Sequence, residues 1–84
     1  MTPYETLEYM LKGTNVLRRI DSAPFEIRLR ELYSKVGPIP DNILKGLIDD
    51  NMTDEEINKA LDKYEHLDTV IDEFSIIMYE ISLM

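Results

Sequence analysis

The sequence has no cysteine, so neither a disulfide framework nor a thiolate metal site is open to it. Its three glycines stand alone at Gly13, Gly37 and Gly46, which excludes the glycine-rich loop that cradles phosphates. A single histidine, His66, is too little for a histidine-based metal centre. The longest uninterrupted apolar run, Ile76 to Tyr79, falls far short of the roughly 20 residues that cross a bilayer. Met1-Thr2-Pro3-Tyr4-Glu5 lacks the basic and apolar regions of a secretory signal. A reducing cytoplasm is the expected location, with no membrane contact.

What is present fits one small folded unit. The chain has 84 residues, 44% hydrophobic and 31% charged, a balance too apolar for a disordered segment. A chain of this size buries roughly 60–65% of its unfolded surface, so it leans on efficient helix packing or on oligomerisation. The net charge of −8 is unevenly spread: residues 1–40 hold six basic side chains against five acidic, and residues 41–84 hold three against twelve. Such a chain can pair its halves internally, pair with a second copy, or present acid to a basic partner. Nucleic acid is disfavoured, because phosphate binding needs a cationic face.

Helical signals dominate. Thr2, Pro3 and Glu5 form the opening of a capped helix, followed by Tyr4, Leu7, Met10 and Leu11 at helical spacing and by Gly13 as a stop, which predicts a helix over about 3–12. Val16, Leu17 and Ile20 predict a short helix over 15–20. Ser22 and Pro24 restart the chain, and Phe25, Leu29, Leu32, Tyr33 and Val36 predict a helix over 24–35. Phe25, Ile27 and Leu29 also alternate with charged residues as a strand would, but the alternation fails after Leu29 while the helical pattern continues. Gly37-Pro38-Ile39-Pro40 is a break. Asp41 is read as the cap of a helix over 42–50 carrying Ile43, Leu44, Leu47 and Ile48.

The strongest pattern lies at the C-terminal end. Thr53-Asp54-Glu55-Glu56 is a capping box with extra carboxylates in the first turn, where the helix dipole favours them. Ile57, Ala60, Tyr64, Leu67, Ile71, Phe74, Met78 and Ile81 then step by three and four as a heptad seam, and no Gly or Pro interrupts residues 54–84. One helix over 54–83, about 45 Å long, is the expectation, with a terminal strand as the alternative for 76–84 because Ile76 to Leu83 favours strands. Leu61, Val70, Ile77 and Met84 flank the seam, and Ile76, Tyr79 and Leu83 make even its outer side apolar. A helix apolar on most sides must be covered on most sides.

Chemistry-bearing patterns are weak. The run Asp49-Asp50-Asn51-Met52-Thr53-Asp54-Glu55-Glu56 has the carboxylates of a calcium loop without its pattern. Counted from Asp49, Asp54 stands where the sharp turn needs glycine and Ala60 where the bidentate glutamate belongs. The carboxylates that could do acid–base work lie on the polar side of an amphipathic helix, outside the kind of pocket that such catalysis needs. Three surfaces remain. Leu67, Val70, Ile71, Phe74, Ile77, Met78 and Ile81 are the candidate self-association surface; Asp54, Glu55, Asp62, Glu65, Asp68, Asp72 and Glu73 form an acidic face for a partner; Arg18, Arg19, Arg28 and Arg30 form the only basic cluster.

The chain therefore reads as an all-α bundle, three to four short helices packed around one long C-terminal helix, expected to form a homodimer and to need no metal or cofactor. Its expected role is a non-enzymatic protein-interaction module (adaptor, inhibitor or assembly factor) that uses the acidic C-terminal helix against another protein with a basic surface. Small acidic proteins of phages and mobile elements work in this way, an analogy of type and not of motif. Two other readings compete: a nucleic-acid-associated regulator using the arginine cluster, and a structural subunit that only self-associates.

Overall fold

A computed structural model describes all residues 1–84. It is all-helical, with helices α1 (Pro3–Met10), α2 (Ala23–Val36), α3 (Asp41–Asp49), α4 (Asp54–Lys63) and α5 (Leu67–Ser82). The terminal strand alternative does not occur, since α5 continues to Ser82. No helix is long and apolar enough to cross a membrane.

Both capping boxes form as their sequences dictate. Glu5 N–H donates to Thr2 Oγ1 at 3.1 Å and Thr2 N–H donates back to Glu5 Oε1 at 2.9 Å. The same reciprocal pair joins Thr53 and Glu56 at 3.2 and 3.1 Å. The caps expected of Ser22 and Asp41 do not form. At α2 the freed amide of Ala23 is taken by Asp21 Oδ1 at 3.1 Å, while the Ser22 hydroxyl donates to Glu26 Oε2 at 2.7 Å. At α3 Pro40 holds the cap position, and Asp41 instead accepts from the Met1 ammonium at 2.8 Å.

Two expected elements differ. Residues 15–20 make turns and not a helix: Arg18 N–H donates to Thr14 O and Arg19 N–H to Val16 O, and the ladder stops there. So short a stretch cannot meet the cost of helix nucleation by itself, and it is held by Leu17, which is buried in the core. The stretch read as one helix over 54–83 is helical except at Tyr64, Glu65, His66 and the terminal Leu83. Tyr64 is extended (φ −114°, ψ 110°) and His66 is left-handed (φ 66°). A 45 Å rod would overrun the molecule, whose longest dimension is 37 Å. The break folds α4 back against α5, which at 16 residues is still the longest helix.

The other corners are made by local chemistry. After α1, Lys12 (φ 55°) and Gly13 (φ 132°) close a Schellman-type turn, Gly13 N–H reaching Glu8 O and Lys12 N–H reaching Tyr9 O. After α3, Asp50 takes the left-handed position and Asn51 N–H reaches Gly46 O. Gly46 is buried because Met52 lies over it; a Cβ there would stand 2.9 Å from Met52 Cγ.

α1 packs on α2 and α3, and α2 and α4 pack on α5. One apolar cluster results, with Leu7, Leu29, Leu67, Val70 and Ile77 fully shielded from solvent. The buried polar side chain among them, Thr6, donates to Thr2 O at 3.0 Å and shares a 2.5 Å bond with the Tyr33 hydroxyl. Its single proton serves Thr2, which makes Tyr33 the donor. No buried side-chain polar atom lacks a partner.

Ile77→Ala should cost about 2–5 kcal/mol of unfolding free energy, measured by urea denaturation. A loss within the range of a surface substitution, about 0.5 kcal/mol, would show that α5 is not centred on this stripe.

The capping boxes also set an acid limit. The Thr2 amide first, and its hydroxyl second, hold Glu5 below its ordinary value of 4.5, and Thr53 does the same for Glu56. A carboxylate with a lowered folded-state pKa contributes stability that is complete above its unfolded value and is lost as pH falls through the folded one. Thermal melts from neutral pH downward should therefore show Tm falling below about pH 4.5. Glu5→Gln/Glu56→Gln should melt lower at neutral pH and respond less to that acidification. An acid response equal to the wild type's would contradict this role.

Candidate functional site

α5 has two opposed sides. The side facing the core carries Leu67, Val70, Phe74, Ile77 and Ile81, all buried. These are five of the seven residues read from the sequence as a self-association surface. The cover expected from a second chain is supplied to them within this one. Of the other two, Ile71 is half-buried and Met78 is 41% exposed.

The side away from the core carries Ile76, Tyr79 and Leu83, 46%, 65% and 69% exposed. Their spacing of three and four places them in one row on the helix surface. Asp68 and Asp72, both exposed, occupy the preceding turns of that side. α5 contains four carboxylates and no lysine or arginine.

The acidic face is not one rod. Asp54, Glu55 and Asp62 belong to α4, Glu65 lies in the break, and Asp68, Asp72 and Glu73 belong to α5. Glu55 meets Lys59 at 3.6 Å across solvent, a pairing of small energetic weight. Glu73 is drawn out of the face by an arginine.

That arginine is Arg28 of α2. Its Nη2 and Nε lie 2.6 and 2.9 Å from Glu73 Oε1, and its Nη1 bonds Glu80 Oε2. The bond to Glu80 most of all, then that to Glu73, raises the guanidinium pKa against the opposing effect of burial. Glu73 and Glu80 are two turns apart, so one side chain fastens α2 along two turns of α5. The basic cluster is thereby divided. Arg18 and Arg19 lie in the turn before α2, Arg30 is exposed on α2, and none of the three forms an ion pair.

Two clefts lie between helices. A polar one of about 630 Å³ between α1 and α3 is lined by Glu5, Glu8, Tyr9, Lys12, Asp41, Lys45 and Asp49. Several of its groups pair with each other. Tyr9 donates to Asp49 Oδ2 at 2.5 Å, which pushes the phenol pKa up, and Lys45 sits 5.4 Å from the Tyr9 ring centre. These contacts tie α1 to α3. A second cleft of about 340 Å³ is mainly apolar, lying between Met10, Leu47 and Ile48 on one side and Ile71, Phe74 and Met78 on the other. The sequence reading missed it, although four apolar residues within six positions of α3, Ile43, Leu44, Leu47 and Ile48, exceed what one narrow stripe buries.

His66 is exposed and its Nε2 lies 3.8 Å from Glu65 Oε1. No three acidic or histidine side chains converge in a metal-binding arrangement. Comparison with protein families, curated proteins and solved structures gives no significant match.

The divided arginines generate a test. Arg28→Ala should lower stability by about 1–2 kcal/mol, between the values for exposed and buried ion pairs, and the loss should shrink in high salt. Arg18→Ala, Arg19→Ala and Arg30→Ala should each stay within about 0.5 kcal/mol of wild type. Equal losses at all four positions, measured by chemical denaturation, would reject the division.

Proposed function

We propose that this chain is a non-enzymatic interaction module of the cytoplasm that binds another protein through the outer side of α5 and favours a partner with a basic surface. The observation that carries the reading is the row Ile76, Tyr79 and Leu83, exposed opposite the core and preceded by Asp68 and Asp72. An apolar row with an acidic lead-in suits a protein surface that offers both aliphatic groups and lysine or arginine. Such a module acts as adaptor, inhibitor or assembly factor according to what its partner does elsewhere. The nucleic-acid reading has only Arg18, Arg19 and Arg30 to draw on, against a net charge of −8, and ranks below it.

Self-association is the competing use of the same row. Two copies of α5 would bring together helices carrying carboxylates and no cations, and like charges across a contact oppose it.

Tyr79→Ser/Leu83→Ser removes two side chains that contribute nothing to the core, so the fold should be unchanged by circular dichroism. Affinity capture from native-host lysate, read by mass spectrometry, should enrich a partner with wild type and recover about tenfold less with the variant. Identical recoveries would overturn the reading. A concentration-dependent dimer in sedimentation equilibrium, abolished by the variant, would replace it with self-association.

A further inference from the structure

The apolar cleft between α3 and α5 has the dimensions and surroundings of a receptor for side chains. Leu47, Ile48 and Ile71 are half-buried and Met78 is 41% exposed, so apolar surface stays accessible after the fold is complete. At about 340 Å³ the cleft lies at the lower limit of small-molecule sites, which run to about 1,000 Å³ and hold convergent polar groups that fix a ligand's orientation. Here the polar lining is Asp50 and Ser75 alone, which suits an apolar side chain better than a metabolite. Met10 and Met78 supply walls that can adjust to the shape of an inserted group.

Charge identifies the rest of the occupant. Asp50 closes one end of the cleft at the C-terminus of α3, where the helix dipole itself attracts a cation. Asp68 and Asp72 stand one turn apart beside Ile71 and Ser75, on the outer side of α5. No lysine or arginine lines the cleft. From Ile71 to Met78 the floor rises seven residues, about 10 Å, which matches the i to i+7 step between anchors on a docked helix.

We propose that this cleft seats a basic amphipathic helix of another protein, with aliphatic anchors between Leu47, Ile48, Ile71 and Met78 and with lysines or arginines against Asp50, Asp68 and Asp72. The proposal rests on the interaction-module reading and names a second apolar contact, adjoining the outer row and sharing Asp68 and Asp72 with it, and its ligand class. A second copy cannot be that ligand. α2 is the helix of this chain with more basic than acidic residues, and its apolar side, Phe25, Leu29 and Leu32, is committed to the core.

The test uses the full chain and a fluorescein-labelled leucine–lysine peptide of about five turns patterned as an amphipathic helix. A peptide of the same composition, with its leucines scattered around the helix, is the control. In about 0.15 M salt, fluorescence anisotropy should give the patterned peptide at least about tenfold tighter binding than the control. Met78→Arg, at an exposed helical position, should weaken it by about tenfold with the fold intact by circular dichroism. Amide shifts in ¹⁵N spectra of the wild type should concentrate at Leu47, Ile48, Ile71 and Met78.

Equal affinity for the two peptides would reduce the effect to charge attraction and overturn the proposal, as would shifts confined to Ile76, Tyr79 and Leu83. If those results accompanied a lysate partner lost in Tyr79→Ser/Leu83→Ser, the cleft would fall and the module reading would stand. Cleft binding with no such partner would sustain the cleft and overturn the role given to the outer row.

Discussion

Leu67, Val70 and Ile77 lose all contact with solvent, and with Phe74 and Ile81 they form the stripe of α5 that joins the single apolar core, with α2 and α4 packed directly on that helix. In a chain of 84 residues without cysteine, one core supplies nearly all the favourable burial. The elements before α5 turn back on one another to enclose that core. The corners are correspondingly tight. Lys12, Asp50 and His66 all adopt left-handed backbone without being glycine, at a cost of order 1 kcal/mol each. Such residues persist where the surrounding packing over-determines them. His66 is the plainest case, since straightening it would carry α4 away from α5 and uncover Ala60 and its half-buried neighbours Ile57 and Tyr64.

Charge is sorted by the same geometry. Arg28 is drawn into the α2–α5 seam by Glu73 and Glu80, so one cation of the basic half is used to assemble the fold. The remaining carboxylates of α5, Asp68 and Asp72, face outward without cationic neighbours on their own helix. The polarity between the two halves of the sequence therefore becomes a difference between an internal tie and an external surface. That surface carries negative charge outward, with no cation of its own helix to offset it.

Local signals were legible because their chemistry is local. Thr2 with Glu5, and Thr53 with Glu56, place the starts of α1 and α4 to the residue, since each box needs only one turn of chain. The strand-like alternation at Phe25–Leu29 resolves as helix, as the continuation through Leu32, Tyr33 and Val36 implies. The break at Tyr64–His66 was not legible. Tyr64 and Leu67 both turn toward the core, so the apolar rhythm passes through the corner unchanged; periodicity reports which side faces the core, and not whether the axis continues. The same ambiguity affected the site. A stripe such as Leu67–Ile81 is equally satisfied by cover from its own chain or from another, and only the paths of the other helices decide. The α3–α5 cleft depends on the distance between two helices, which no sequence period encodes.

Ile77 and Ile76 are adjacent in sequence, one fully buried and the other 46% exposed. For Ile77 the core is sufficient reason. For Ile76, Tyr79 and Leu83 it is not, because they lie on the far side of the helix from everything the fold must bury. Isolated apolar residues on a surface need no explanation. A row of three on the side where Asp68 and Asp72 occupy the earlier turns is different. Aspartate, glutamate or lysine at those positions would leave the core untouched and would improve solubility. Stability of this chain therefore supplies no reason for an apolar row there, whereas contact with a second protein supplies one directly, since the side chains that add nothing to the folded monomer are those free to be buried on binding.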